Sequence, residues 1–255
     1  MAEGDRGLVV RSLSVRFGGI TALDNVDLDV APGEVVGLVG PNGAGKTTLV
    51  NCVGGQLAPS SGSVRLGGED LDGMPPFRRA RRGVGRTFQH VAIFPELTVR
   101  EHLFVAVRAR RREGTRWSEL VDRARPNAEE SGQIDATLEL VGLTARADAA
   151  VATLPLGACR LVEIGRALVG RPTVVLADEP SSGLDAREAA TLAAVLRSLP
   201  GRGIGVLLVE HYLAMVSAVC DRVVVLHLGR VIAQGSFEAV MADPAVRRAY
   251  LGQVA

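Results

Sequence analysis

Val35-Val36-Gly37-Leu38-Val39-Gly40-Pro41-Asn42-Gly43-Ala44-Gly45-Lys46-Thr47-Thr48 is the stretch that decides the fold of this chain. Val35–Val39 is a short, uninterrupted apolar run ending in Gly40, which suits a strand buried on both faces. Thr48–Val53 continues as a helix. Between the two, Gly40–Thr48 matches GxxxxGK[ST]. Glycines there let backbone N–H groups converge without Cβ clashes, and the helix N-terminus adds its positive end, so phosphate oxygens are surrounded by donors. Gly40, Pro41, Asn42, Gly43, Ala44, Gly45, Lys46, Thr47 and Thr48 are therefore the candidate nucleotide-binding residues. Lys46 reaches for the β and γ phosphates, and the Thr47 hydroxyl is a Mg²⁺ ligand. Of 29 basic residues 28 are arginine, and the lone lysine, Lys46, stands where a compact ammonium is needed rather than a planar guanidinium.

A second element of the site lies downstream. Thr173-Val174-Val175-Leu176-Ala177-Asp178-Glu179-Pro180 is an apolar strand that ends in two acids. At the end of a buried strand beside a phosphate loop, Asp178 can hold Mg²⁺ through water, and Glu179 can polarise the attacking water as general base.

Around these motifs the chain alternates. Leu8–Phe17 and Val26–Val30 interleave apolar and polar residues as half-buried antiparallel strands do. Ser63–Leu66 and Val84–Phe88 read as further short strands. Helical patterns follow over Val99–Arg112, Trp117–Arg125, Ile134–Val141 and Arg160–Val169. Thr173–Ala177, Gly205–Val209 and Arg222–Leu226 are β-branched strands separated by helices Ala186–Leu199 and Tyr212–Val219, which argues for right-handed crossovers and a mostly parallel sheet. The expectation is one α/β domain over residues 1–255. Its core spans about 1–90 and 170–240, with a helical subdomain inserted at about 91–169 and a short helical end at about 236–255.

Composition narrows the class. Apolar residues make up 47% and charged residues 22%, a globular balance. The net charge of +1 gives no overall electrostatic case for nucleic acid. Cys52, Cys159 and Cys220 lie far apart without metal-ligand spacing, so buried, reduced thiols are expected. No apolar run has the length of a signal peptide or membrane span, so any membrane role needs another chain.

With these motifs in order, and with Ser181-Ser182-Gly183-Leu184-Asp185 and His211 after them, the chain resembles the ABC ATPases, a P-loop NTPase family, over about Leu8 to Gly235. The resemblance implies a mostly parallel core sheet, an N-terminal antiparallel β subdomain and an inserted helical subdomain. It implies ATP and Mg²⁺ as ligands. It assigns Gln89 to Mg²⁺ or the attacking water, His211 to the γ-phosphate, Asp185 to a dimer interface and Phe17 to the adenine ring. Gly85–Gln89, Phe94–Leu103 and Leu161–Leu168 look like the ATPases of branched-chain amino-acid importers, a group that also serves urea and related small polar solutes.

One motif departs. The family signature LSGGQ, which meets the nucleotide of an opposite subunit, is matched here by Leu154-Pro155-Leu156-Gly157-Ala158 ahead of a helix expected from Cys159 to Val169. Pro155 stands where a serine would bond the γ-phosphate, and it has no N–H. The expectation is an asymmetric pair with a second ATPase subunit, docked on integral membrane permease subunits at the cytoplasmic face of the membrane. The alternatives are that the helix N-terminus and the Gly157 amide suffice, that the chain is a weakly hydrolysing regulatory subunit, or that it acts in translation or DNA repair. The arginine clusters Arg78–Arg82 and Arg108–Arg112 read as solvated helix faces, with docking beside the membrane as the functional version.

Overall fold

Two sheets meet at the phosphate loop. In the computed structural model, which describes residues 7–87, 94–111 and 126–251, β1 (Leu8–Phe17) and β2 (Ile20–Val30) form an antiparallel hairpin. Gly18 (φ 56°) and Gly19 close it, pairing Phe17 with Ile20. β4 (Ser61–Leu66) and β5 (Glu69–Asp70) complete a four-stranded sheet of order β2-β1-β4-β5.

The second sheet is built from β3 (Val35–Val39), β6 (Val84–Arg86), β7 (Val174–Asp178), β8 (Gly205–Val209), β9 (Arg222–His227) and β10 (Arg230–Gly235). Their order is β10-β9-β3-β8-β7-β6, parallel throughout except for β10, which returns antiparallel on β9. The expected mostly parallel core is therefore present. Every residue of β3, β7 and β8 is buried. Alternation along these strands divides them between two cores. Val175, Ala177, Val206 and Leu208 face the helices on one side, while Val174, Leu176, Leu207 and Val209 face α1 (Lys46–Gly54) and the antiparallel sheet on the other.

Between β6 and β7 lie α3 (Val99–Arg111), α4 (Ala128–Leu140) and α5 (Leu156–Leu168), which pack on one another. α3 and α4 each start at a capping box, Thr98 with Glu101 and Asn127 with Glu130. α5 begins at Leu156, three residues before the expected Cys159, because Pro155 serves as its N-cap with φ −65° and ψ 161°. α6 (Ala186–Ser198) and α7 (Leu213–Val219) cover the crossovers between β7, β8 and β9. At the end of the chain α8 (Phe237–Ala242) and α9 (Pro244–Leu251) pack on β9 and β10. The expected helix over Trp117–Arg125, together with Phe88 and Gln89, lies outside the described residues.

Both arginine clusters depart in part from solvated faces. In α2 (Pro76–Arg81), Arg79 is 2% exposed. Its guanidinium donates to Cys52 O (2.7 Å), Val53 O (3.0 Å) and Met74 O (3.0 Å), capping the last carbonyls of α1. Arg110, on α3, likewise turns inward to donate to Ala80 O. Among the described residues no helix is long and apolar enough to cross a membrane.

Candidate active site

The site lies at the carboxyl ends of three neighbouring strands, β3, β8 and β7, where ligands bind in open parallel sheets. Each strand delivers one piece: the Gly40–Thr48 loop after β3, Glu210 and His211 after β8, and Asp178 and Glu179 at the end of β7. Leu38 lies opposite Val209 and Val209 opposite Asp178, so all three pieces leave the sheet at about the same level.

Local geometry forces the glycines of the loop. A Cβ on Gly40 (φ 151°) would fall 2.0 Å from Leu226 O on β9. At Gly45 (φ 105°), which caps α1, it would fall 2.6 Å from Ala22 O on β2. Pro41 and Ala44 are buried, whereas Asn42, Gly43 and Thr47 are exposed and Thr48 is half-buried, so the loop turns one face outward.

Lys46 is 7% exposed, and its ammonium donates to Gly40 O (2.5 Å) and Pro41 O (2.9 Å) of its own loop. Burial lowers its pKa, opposed by the fields of Glu179 and Asp178. Asp178 is buried, with Arg86 Nη2 at 3.7 Å and its amide donating to Thr87 Oγ1 (3.3 Å). Burial raises its pKa; Arg86 and Lys46 oppose that, while Glu179 and Glu210 add to it. Glu179 adopts φ 47°, an uncommon backbone for a residue with a Cβ. His211 is exposed, with Nδ1 3.9 Å from Glu179 Oε2.

Lys46, Asp178, Glu179 and His211 are thus brought together. Phe17 stands apart at the tip of the first hairpin, 51% exposed beside Ile20, so its ring is not part of the core. Gln89 lies outside the described residues.

The Leu154–Ala158 stretch forms the start of α5. Leu154 is half-buried, Pro155 and Leu156 are exposed, and Gly157 and Ala158 are buried. The Gly157 amide is engaged within the chain: it donates to Glu188 Oε1 at 3.0 Å. Glu188 in turn forms a capping box with Asp185, the N-cap of α6. One carboxylate therefore joins the starts of α5 and α6.

The donor set fits a nucleoside triphosphate with Mg²⁺. The loop supplies an ammonium and a helix N-terminus for phosphate. The Thr47 hydroxyl and the Asp178 carboxylate are hard oxygen ligands of the type Mg²⁺ takes alongside phosphate oxygens.

Sequence reasoning missed Glu210 and Glu188. Glu210 was marked by the same pattern as Asp178, an acid at the end of a wholly apolar strand. Glu188 carried the D-x-x-E spacing of a helix start.

Comparison with known proteins agrees with this geometry. The family model for the ABC transporter matches residues 23–182, and that for the branched-chain amino acid ATP-binding cassette transporter matches residues 230–255. The high-affinity branched-chain amino acid transport ATP-binding protein LivG of Escherichia coli (strain K12) is 38% identical over 250 residues, covering 96% of this chain and 98% of the relative. BraF of Pseudomonas aeruginosa, described in the same words, is 39% identical over 251 residues with the same coverage. Among solved structures, an ATP-binding cassette of an ABC transporter in its ADP conformation superposes with a TM-score of 0.85 at 31% identity, covering 96% of this chain and 98% of that one. A nucleotide-free cassette gives 0.86 at 30% identity with the same coverage.

Proposed function

The chain belongs to the ABC transporter ATPase family, and from that membership we propose that it energises an importer of branched-chain amino acids or related small polar solutes. The observation that carries the catalytic half of this reading is that the loop bearing Lys46, the Asp178-Glu179 pair and His211 stand at three adjacent strand ends, with His211 Nδ1 3.9 Å from Glu179 Oε2. The substrate class is supported by the match of residues 230–255 to the branched-chain cassette family and by the likeness to LivG and BraF.

In this reading Lys46 exchanges its two loop carbonyls for phosphate oxygens of ATP, and the loop amides hold the rest. Thr47 and Asp178 hold Mg²⁺, with Gln89 as a further ligand. Magnesium supplies charge neutralisation on the phosphate oxygens. Glu179 takes the proton of the attacking water as general base. His211, beside that carboxylate, faces the γ-phosphate, and Phe17 offers its exposed ring to adenine.

A second ATPase subunit completes the site. Pro155 and the engaged Gly157 amide leave the Leu154–Ala158 stretch poorly furnished as a phosphate donor for an opposite subunit, which favours an asymmetric pair. The paired subunit would supply an intact signature to this chain's phosphate loop, and Asp185 would face it. Permease docking is supported by a cleft of about 330 Å³ between α2, β6, α3 and α5, with Phe77, Arg86, Arg110 and Arg166 in its lining. In this reading the cleft receives a segment of an integral membrane subunit, with the chain peripheral at the cytoplasmic face.

The test is co-purification from detergent-solubilised membranes, followed by uptake of radiolabelled leucine into proteoliposomes containing the recovered complex. ATP-dependent uptake, lost on Glu179→Gln, is expected. Recovery of ribosomal or DNA-repair proteins without membrane subunits would remove the transport reading and leave the ATPase standing.

A further inference from the structure

Glu210 directly follows β8, precedes His211 and is fully buried, with 0% exposure. Its Oε1 accepts a hydrogen bond from Ser181 N–H at 2.9 Å, and Oε2 has no hydrogen-bond partner among the described residues. Burying an acid with a single neutral donor does not favour folding, because the desolvation cost exceeds what one bond returns. The position of that bond supplies the reason for the residue.

The parallel ladder of β7 on β8 ends at Asp178 paired with Val209. The next donor, Glu179 N–H, still reaches Val209 O at 2.9 Å. Pro180 has no N–H. Ser181 N–H has passed the last strand carbonyl, and the Glu210 side chain provides the acceptor that the backbone no longer offers. The two bonds hold both ends of the Glu179-Pro180-Ser181 segment, and the φ of 47° at Glu179 lies in the left-handed region that a residue with a Cβ occupies only when its surroundings hold it there.

We infer that Glu210 is a positioning residue for ATP hydrolysis: through Ser181 N–H it holds the Glu179-Pro180-Ser181 turn in the conformation that aims the Glu179 carboxylate. Because Glu210 is joined by a peptide bond to His211, the base and the histidine are set from one buried anchor. This rests on Glu179 being the general base.

Two substitutions separate the acceptor from bulk. Glu210→Met keeps a similar volume and removes the acceptor, whereas Glu210→Gln keeps it. In steady-state ATPase assays Glu210→Met is expected to lower kcat by about 10- to 100-fold with little change in KM for ATP, since a misaimed group costs rate rather than binding. Glu210→Gln is expected to recover most of the parental kcat. Amide hydrogen exchange adds a readout on the unaltered protein, where Ser181 N–H should exchange slowly.

Parental kcat in Glu210→Met, equal loss in both variants, or fast Ser181 exchange in the parent would each overturn the inference, the last even where Glu210→Met fails to fold. Glu179→Gln is measured in parallel. If it retains kcat, the base assignment itself fails; if it is inactive while Glu210→Met is active, only the role of Glu210 fails.

Discussion

Pro155→Ser tests how much of the reaction is limited by the departed signature. Pro155 is the N-cap of α5, exposed, with no side-chain capping bond. A serine there can accept from the N–H of the second or third helical residue. The second, Gly157, already donates to Glu188, so the introduced hydroxyl caps Ala158 N–H. That bond should stabilise the chain by about 1 kcal/mol, a rise in Tm of about 2–4 °C for a domain of this size. The same hydroxyl can donate its hydrogen to a phosphate oxygen of an opposing subunit. A hydrogen bond to a charged group contributes about 1.5–3 kcal/mol, which sets a ceiling of about 10- to 150-fold on the rate. The isolated protein should therefore hydrolyse ATP several-fold faster or more, with the gain increasing with protein concentration because two chains share the site. Phosphate release and differential scanning calorimetry are measured on the same samples. A raised Tm with an unchanged rate at every protein concentration would refute the reasoning, since the cap would have formed without the signature having been limiting.

Arg79→Met should lower stability by about 1–3 kcal/mol, because it takes the guanidinium donor from the Val53 carbonyl, while Cys52 O keeps the Gly55 N–H; urea unfolding followed by circular dichroism reads the loss. Asp178→Asn should raise the urea midpoint near pH 7.5 while abolishing turnover. Burial raises the Asp178 pKa, so the native state binds a proton more tightly than the unfolded one, and the charged form costs stability above the folded pKa. The gain should vanish as pH falls below the ordinary carboxylate range. Burial pushes the Cys52 thiol to about 11 and, with Asp221 and Glu210 adding, the Cys220 thiol to about 12, and raises Cys159 as well. Native protein at pH 8 should react slowly with a thiol-specific disulfide reagent, and unfolded protein with all three thiols quickly.

The sequence was most legible where one constraint dominates. Val35–Val39 and Gly205–Val209 match their strands residue for residue because a strand buried on both faces tolerates only apolar side chains. The phosphate loop was legible because its glycines answer a backbone requirement, visible at Gly40 and Gly45 as carbonyls within 2.6 Å of any added Cβ. β10 was missed because Arg230–Gly235 is an edge strand of mixed burial, with neither alternation nor an apolar run. The first half of β2 was missed because Ile20 and Thr21 are exposed at the hairpin tip, where the Gly18-Gly19 turn rather than burial sets the pairing. Arg79 was read as solvated because local charge density says nothing about which helix end a guanidinium will reach across the fold. Glu188 and Glu210 escaped because their partners, Gly157 and Ser181, lie 31 and 29 residues away along the chain.

The carboxylate of Glu188 bears on how force passes through this molecule. It accepts from Gly157 at the start of α5 and from Asp185 at the start of α6. Both helices therefore direct their positive ends at one small negative group. α5 belongs to the helical layer that lines the cleft, and Asp185, the N-cap of α6, follows soon after Asp178 ends its strand. Beside the apolar packing of α5 on α6 and the Arg160 contact with Ser182 O, this charged rivet carries a tug on the helical layer toward the ends of the catalytic strands, and a neutral residue in its place would loosen the joint.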